Sequence, residues 1–447
     1  MAKEVYIVHC IDTEGPLYES IDATFERLES VFNVCLEHTK ENLIKLQNKA
    51  IDLGGVEEAV FNMVEPKRLN TNDTWEKLDR MLDRILSDDF REQLLDSEGK
   101  GWIYNWFCVD HVGFKDVNPR RRDAGHHNIY DHYHSRNKDN KDLIQFHYHP
   151  VSICGHFNVS GTTYLNSNNI FDILCRKVID RNWFPSCFRP GFHTERPDSH
   201  WFLEQWIPFD YANQATENLN NEQLDLSNGR FGDWRRAIKE WKPYHPSHDD
   251  YQVEGSCRRW IARCLNMDAR IREISQKDFI EGFKRANDGE STIISFTNHD
   301  FRDMTDEIDK MRKMINEASK IYPEVKFYYS NAISAMRKAL DMKVQNINLD
   351  FNIKIKENNT AIMEISSNDN IFGPQPFLAI KTITGEYIWE NLDFQGNNKW
   401  TYHLDENTLK TNMIEKIGVA ANSKEGLSEV VVYDFMINKK IKKIYNE

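Results

Sequence analysis

The 447-residue chain predicts an α/β fold, a parallel βα barrel followed by an antiparallel β-sandwich. Three observations carry this. Short runs of β-branched and aromatic residues alternate with helix-period segments over residues 1–341, the pattern of βα units. Those apolar runs end in ionisable residues, and a βα barrel builds its site at the C-terminal ends of its strands. From residue 342 the helical period disappears and two-residue alternation takes over.

The expected barrel strands are 5–11, 102–109, 143–146, 186–188, 207–209, 293–296 and 326–329. Helical segments separate many of them. Residues 22–48 place Phe25, Leu28, Phe32 and Cys35 on one face. Residues 74–86 do the same with Trp75, Leu78, Leu82 and Ile85, behind a capping region at Asn72 and Asp73. Residues 168–180 carry Ile170, Ile173, Leu174 and Val178. Residues 306–320 carry Ile308, Met311, Ile315 and Ala318, with Thr305 as the expected N-cap. Beyond them, Leu349, Phe351, Ile353 and Ile355 alternate with polar residues. Further runs follow at 361–365, 377–380, 387–389, 400–403, 417–420 and 430–437, joined by Asn-, Gly- and Asp-rich turns. The barrel is therefore assigned to 1–341 and the sandwich to 342–447.

Composition narrows the function. A net charge of −13 disfavours nucleic acid and anionic membrane surfaces, which need a basic face. The lysines at 439, 440, 442 and 443 read as a solvated strand end. No apolar run is long enough to span a bilayer, and no signal segment precedes the first strand, so a cytoplasmic protein without membrane insertion is expected. The eight cysteines include no CxxC pair, which excludes a zinc knuckle or thioredoxin motif. Cys10, Cys35 and Cys108 read as small buried hydrophobes, Cys154 among the scattered remainder. Eleven tryptophans suit either sugar stacking or a large core.

The chemistry concentrates at the strand ends. Asp12 and Glu14 follow the first strand, and His147 and His149 lie on the third. Both pairs are spaced i, i+2, which puts two side chains on one face of a strand. They offer hard oxygens and imidazole nitrogens for one divalent metal, zinc being the expected ion. Arg189, in the run Phe188-Arg189-Pro190-Gly191, supplies a fixed cation able to keep a carboxylate ionised. His299 ends a late strand and can protonate a leaving group, with Asp300 or Asp210 orienting its ring. Asp110, with His111 beside it, Phe192, His193, Asp210 and Tyr244 are the candidate substrate contacts. The segment 123–134, with His127, Tyr130, Asp131 and His134 at helical spacing, reads as a loop or helix lining the substrate cleft, or as a second metal site. The loop 241–250 reads as an ordered connection or a sugar contact. Trp389, Trp400 and Tyr402 read as sandwich core or a stacking platform.

The order Asp-x-Glu, His-x-His, Phe-Arg-Pro and a late strand-ending His resembles the polysaccharide deacetylase family (NodB homology, carbohydrate esterase family 4) over residues 4–340. The resemblance implies a distorted (β/α)7 barrel. It implies one carboxylate and two His on the metal, a second carboxylate as base, an Arg tethering that base, and a late His as acid. The family's usual first motif has adjacent acids and its His pair is spaced i, i+4, so this chain matches a divergent branch. By analogy Asp12 is the base and Glu14 the ligand. The activity implied is metal-dependent hydrolysis of a non-peptide amide, N-deacetylation of an amino sugar or glycan precursor. A deformylase or other C–N hydrolase acting on a different acyl, ureido or cyclic amide substrate is the alternative within enzymes, and an inactive glycan-binding barrel the alternative outside them.

Overall fold

The computed structural model describes residues 3–110, 127–137, 139, 141–150, 161, 163–167, 169–217, 232–268 and 272–446. His111, the stretch 123–126 and Cys154 lie outside them.

Nine strands form the first sheet: β1 (Glu4–Thr13), β2 (Tyr104–Val109), β3 (Leu143–Tyr148), β4 (Cys187–Pro190), β5 (Phe209–Asn213), β6 (Trp260–Arg263), β7 (Leu265–Asn266), β8 (Thr292–His299) and β9 (Lys326–Tyr329). Their order is β6-β5-β4-β3-β2-β1-β8-β7, every pairing is parallel, and β9 adds to the start of β1. Residue 264 alone separates β6 from β7, so the two ends of the order meet in sequence and the sheet is nearly closed. The short strands β6 and β7 were not expected from the sequence.

Alternation divides the side chains cleanly. Val8, Cys10, Phe107, Cys187, Phe209, Tyr211 and Cys264 fill the interior. Ile7, Ile11, Trp106, Cys108, Phe146, Tyr148 and Phe188 face outward and pack on helices. Such double-faced burial is why these strands read as continuous apolar runs. The outer layer includes the helix Asn169–Arg181, whose Ile170, Ile173, Leu174 and Val178 are all buried.

The helical expectations hold with local changes. Residues 22–48 form two helices, Ile21–Phe32 and Lys40–Gln47, because Asn33 adopts a left-handed C-cap (φ 57°). Cys35 therefore falls beyond the first helix and is exposed, while Cys10 and Cys108 are buried. Thr74, rather than Asn72 or Asp73, caps the helix Trp75–Ile85 by accepting from Lys77 N. Thr305 is the first residue of the helix Thr305–Ile321, and the Asp303 carboxylate accepts its amide at 3.0 Å.

The remaining strands are β10 (Leu349–Ile355), β11 (Ala361–Ser367), β12 (Phe377–Thr382), β13 (Tyr387–Glu390), β14 (Asp393–Gly396), β15 (Lys399–Leu404), β16 (Ile414–Asn422), β17 (Ser428–Asp434) and β18 (Lys439–Tyr445). They form two antiparallel sheets, β10-β11-β15-β14 and β13-β12-β16-β17-β18. Phe351, Met363, Ile365 and Trp400 of the first meet Leu378, Ile380, Ile417 and Val419 of the second in one core. The five-stranded sheet is buried on its other face too. Phe377, Ala379, Ala420, Val430 and Val432 join the barrel's outer cluster. Trp400 and Tyr402 are thus core residues, and Trp389 stacks on Phe171 of the barrel at 4.5 Å. Among the described residues no helix is long and apolar enough to cross a membrane.

Candidate metal centre

Register brings the strand ends together. Asp12 lies beside His299 across β1 and β8, and His147 lies beside Arg189 across β3 and β4. Val109 of β2 stands in register with His147, and Phe107 with Asp12. Since Phe107 is interior, Asp12 and the inward set His147 and His149 converge at the barrel mouth.

Glu14, His147 and His149 form a buried group able to hold a metal ion. The two His Nε2 atoms lie 3.0 Å apart, and Glu14 Oε1 lies 2.9 Å from His149 Nε2 and 3.5 Å from His147 Nε2. Donors on one zinc ion, bound at about 2.0–2.2 Å, stand roughly 3.0–3.5 Å apart. The spacing of the three donors fits that requirement. The imidazole of His147 is also set for it. Its Nδ1 lies 2.9 Å from the Arg189 carbonyl, an acceptor only, so the ring proton sits on Nδ1 and the Nε2 lone pair is presented. Burial keeps the ring neutral, pulling its pKa down to about 3.

Two backbone features hold these donors. Gly191 packs so closely that a Cβ there would sit 2.4 Å from His149 Cγ. Phe192 follows with left-handed φ (53°) and sets its ring edge-on to His149 at 4.9 Å. On the other side, Asp300 accepts from the amides of Glu14 (2.8 Å) and Gly15 (2.9 Å) and from Tyr133 Oη (2.7 Å). Asp300, named with Asp210 as a candidate to orient the His299 ring, holds the turn that carries Glu14, and Gly15 permits that turn with φ +71°.

Asp12 sits apart from the three donors in role. Arg189 forks it, Nε to Oδ1 at 2.6 Å and Nη2 to Oδ2 at 3.1 Å, and sends Nη1 to the Tyr211 carbonyl at 2.6 Å. Burial pushes the Asp12 carboxyl up, but Arg189, with His147 and His299, outweighs it and holds the pKa well below the usual carboxylate range. His299 is less buried, with Nε2 3.9 Å from Asp12 Oδ2. His193 lies under the same guanidinium, Nδ1 3.5 Å from Arg189 Nη2, and burial followed by Arg189's charge drives its pKa well below the usual imidazole value.

Asp110, Asp210 and Tyr244 are not part of this constellation. Asp210 pairs in register with outward-facing Phe188, so it points out of the barrel. There it adjoins Glu195 and lies 3.6 Å from Arg259, and burial with the Glu195 charge raises its pKa well above the carboxylate range. Asp110 likewise follows the outward alternation and pairs with Lys177 of the helix Asn169–Arg181. Tyr244 is buried beside Trp234, Tyr251 and Ile261, its hydroxyl donating to the Tyr251 carbonyl at 2.8 Å, so the loop 241–250 is an ordered connection here. The helix Asn128–Arg136 packs on the outer cluster through Tyr130 and Tyr133, and His127 and Asp131 pair with Asp180 and Arg181.

A second group, His200, Glu204 and Cys257, also lies within ligand distance. It suits a cation poorly. Arg259 Nη1 donates to His200 Nδ1 at 2.5 Å and reaches Glu204 Oε1 at 3.2 Å, placing a fixed positive charge among the donors. Both Glu204 oxygens also accept from backbone amides, of Arg258 and Arg259.

No protein-family model matches the chain, and neither a curated protein nor a solved structure matches it.

Proposed function

We propose that this protein is a metal-dependent hydrolase of a non-peptide amide, most simply an N-acetyl group on an amino sugar. One observation supports it above the others: a buried three-donor His/His/Glu group lies beside an Arg-locked carboxylate and a partly exposed His at one barrel mouth. The motif order's resemblance to polysaccharide deacetylases points the same way. Glu14, His147 and His149 would hold a divalent cation, zinc by donor type. The cation would supply Lewis-acid polarisation of the acyl oxygen and a lowered water pKa.

The chain's own residues divide the proton transfers. Arg189 holds Asp12 ionised, so its carboxylate is free of a proton and would be the acceptor for that of the attacking water. A carboxylate so tightly held is a poor proton donor to the leaving nitrogen. His299, on the open side of Asp12, takes that role. The backbone amides of Gly191 and Phe192, beyond Pro190, would serve as donors to the oxyanion. The buried, neutral His193 supports Arg189 from below rather than titrating.

The test is release of acetate and of formate from a panel of N-acylated sugars, with chelator-stripped protein as control. Acetate release that returns on adding zinc is expected, and His147→Ala should lose both bound metal and turnover. Full turnover by metal-free protein, or by His147→Ala, would sink the assignment.

A further inference from the structure

Arg272 lies on the segment that leads from β7 to the helix Gln276–Asn287. Its backbone is left-handed (φ 52°), a conformation that a non-glycine residue keeps only under external constraint. The constraints are visible. Its carbonyl accepts from Asn266 N at 3.0 Å. Its guanidinium reaches Gln214 Oε1, beyond β5, at 3.4 Å, and the Gly232 carbonyl at 3.0 Å. Gly232 in turn belongs to the wall of the candidate site. Its amide donates to the Phe192 carbonyl at 3.1 Å, and a Cβ on it would overlap the His193 carbonyl. The guanidinium is thus one residue removed from Phe192 and His193, and its charge reaches His193 together with those of Arg189, Asp12 and His299.

Among the described residues the charge meets no acid. Arg189, Arg259 and Arg263 each meet a carboxylate at 3.0 Å or closer. Arg272 meets two neutral oxygens, and no carboxylate of the described residues lies within ion-pairing distance. Asp233, the acid whose field it feels most, is already forked by Arg235 at 2.9 and 2.8 Å. A guanidinium has five donors in a planar fork that fits carboxylate and phosphate oxygens. Here two are used, and the residue remains partly exposed.

We infer that Arg272 is an anion-binding residue of the candidate site, and that the substrate carries phosphate or carboxylate oxygens besides its acyl amide. The substrate clause rests on the amide-hydrolase reading, whereas anion binding does not. The experiment is calorimetric titration of the full chain with N-acetylglucosamine 1-phosphate, N-acetylglucosamine and glucuronate. The phosphorylated or the carboxylated sugar should bind at least roughly tenfold tighter than the neutral one, a charge-assisted hydrogen bond's worth. Which of the two it is separates the phosphate source from the uronate source. Arg272→Gln should erase that preference and leave the neutral sugar unchanged, and Arg272→Lys should retain part of it. In the unmodified protein the preference should shrink as salt rises. Equal binding of all three sugars, or a preference that survives Arg272→Gln, would overturn the inference. Arg272-dependent anion binding without acyl release from any sugar would leave this site standing and remove only the hydrolase reading.

Discussion

Gly191 and the His149 ring are in contact with no room for a side chain, so the first residue-scale prediction concerns one methyl group. Gly191→Ala puts a Cβ about where the ring stands, 2.4 Å from Cγ. The ring must turn, and its Nε2 moves off the point shared with Glu14 and His147. Metal affinity should fall roughly ten- to a hundredfold, as for other groups that orient a ligand, measured by competition with a chelator while the circular dichroism spectrum is retained. The Asp12–Arg189 pair gives a second. Arg189→Met strands a buried carboxylate and should cost about 3–5 kcal/mol in urea unfolding. Adding Asp12→Leu should recover most of that stability and none of the activity. A double variant no more stable than the single one would show that the pair's charges are not what matters. The residue types at the strand ends were legible because carboxylates, imidazoles and a guanidinium in buried strands need a reason to be there. Which of them face inward was less legible. Asp210 and Asp110 end apolar runs just as Asp12 does, yet each sits on the opposite parity to the interior residues of its strand. Sequence alternation separates two faces but does not name the inner one; that is set by register with neighbouring strands.

The β1 turn and the end of β8 form one device. Asp300 accepts two successive amides of the turn and the Tyr133 hydroxyl, so a single carboxylate joins three elements. Asp300→Asn keeps the shape but turns one acceptor oxygen into a donor facing these N–H and O–H groups. It should lower stability by about 1–3 kcal/mol and weaken metal binding through Glu14, while leaving His147 and His149 in place. Mutual loss of both properties is the expected result in urea and metal titrations; metal affinity unchanged would detach Glu14 from the turn. At this scale the sequence was partly readable. Long strands and amphipathic helices announce themselves by period. The break after Phe32 depended on Asn33 taking a left-handed cap, a signal present in the residue type but silent until its φ is known. Strands β6 and β7 are four and two residues long, too short for any period, and are held as strands by their neighbours' unpaired edges.

The whole molecule carries buried imidazoles away from the candidate site, and they set its response to acid. His9 lies between Trp102 Nε1 (3.0 Å) and Asn298 Oδ1 (2.9 Å), satisfied on both nitrogens only when neutral. Burial brings its pKa down to about 3, and that of His200 to about 4. The unfolded chain takes up these protons near pH 6.5, so their contribution is complete above that pH. It is lost as pH falls from 6.5 toward 4, at about 1.4 kcal/mol per pH unit for each group. Urea midpoints measured across that window should decline steeply, and His9→Gln, which keeps a donor and an acceptor, should flatten the decline. An identical slope in the variant would remove His9 from the account.

The five-stranded sheet presses on the barrel so closely that a Cβ at Gly418 would lie 2.7 Å from Val178, and Asn422 donates to the carbonyls of Pro185 and Trp206. This has a consequence for synthesis. Ribosomes add roughly 5–20 residues per second, so the barrel emerges several seconds before Phe377, Ala420 and Val432 arrive to cover Val178 and its neighbours. During that interval the nascent chain displays a greasy strip of the kind holdase chaperones grip. A chain stopped at residue 341 never leaves that state, and it should be recovered in inclusion bodies or bound to a chaperone, not as a free barrel.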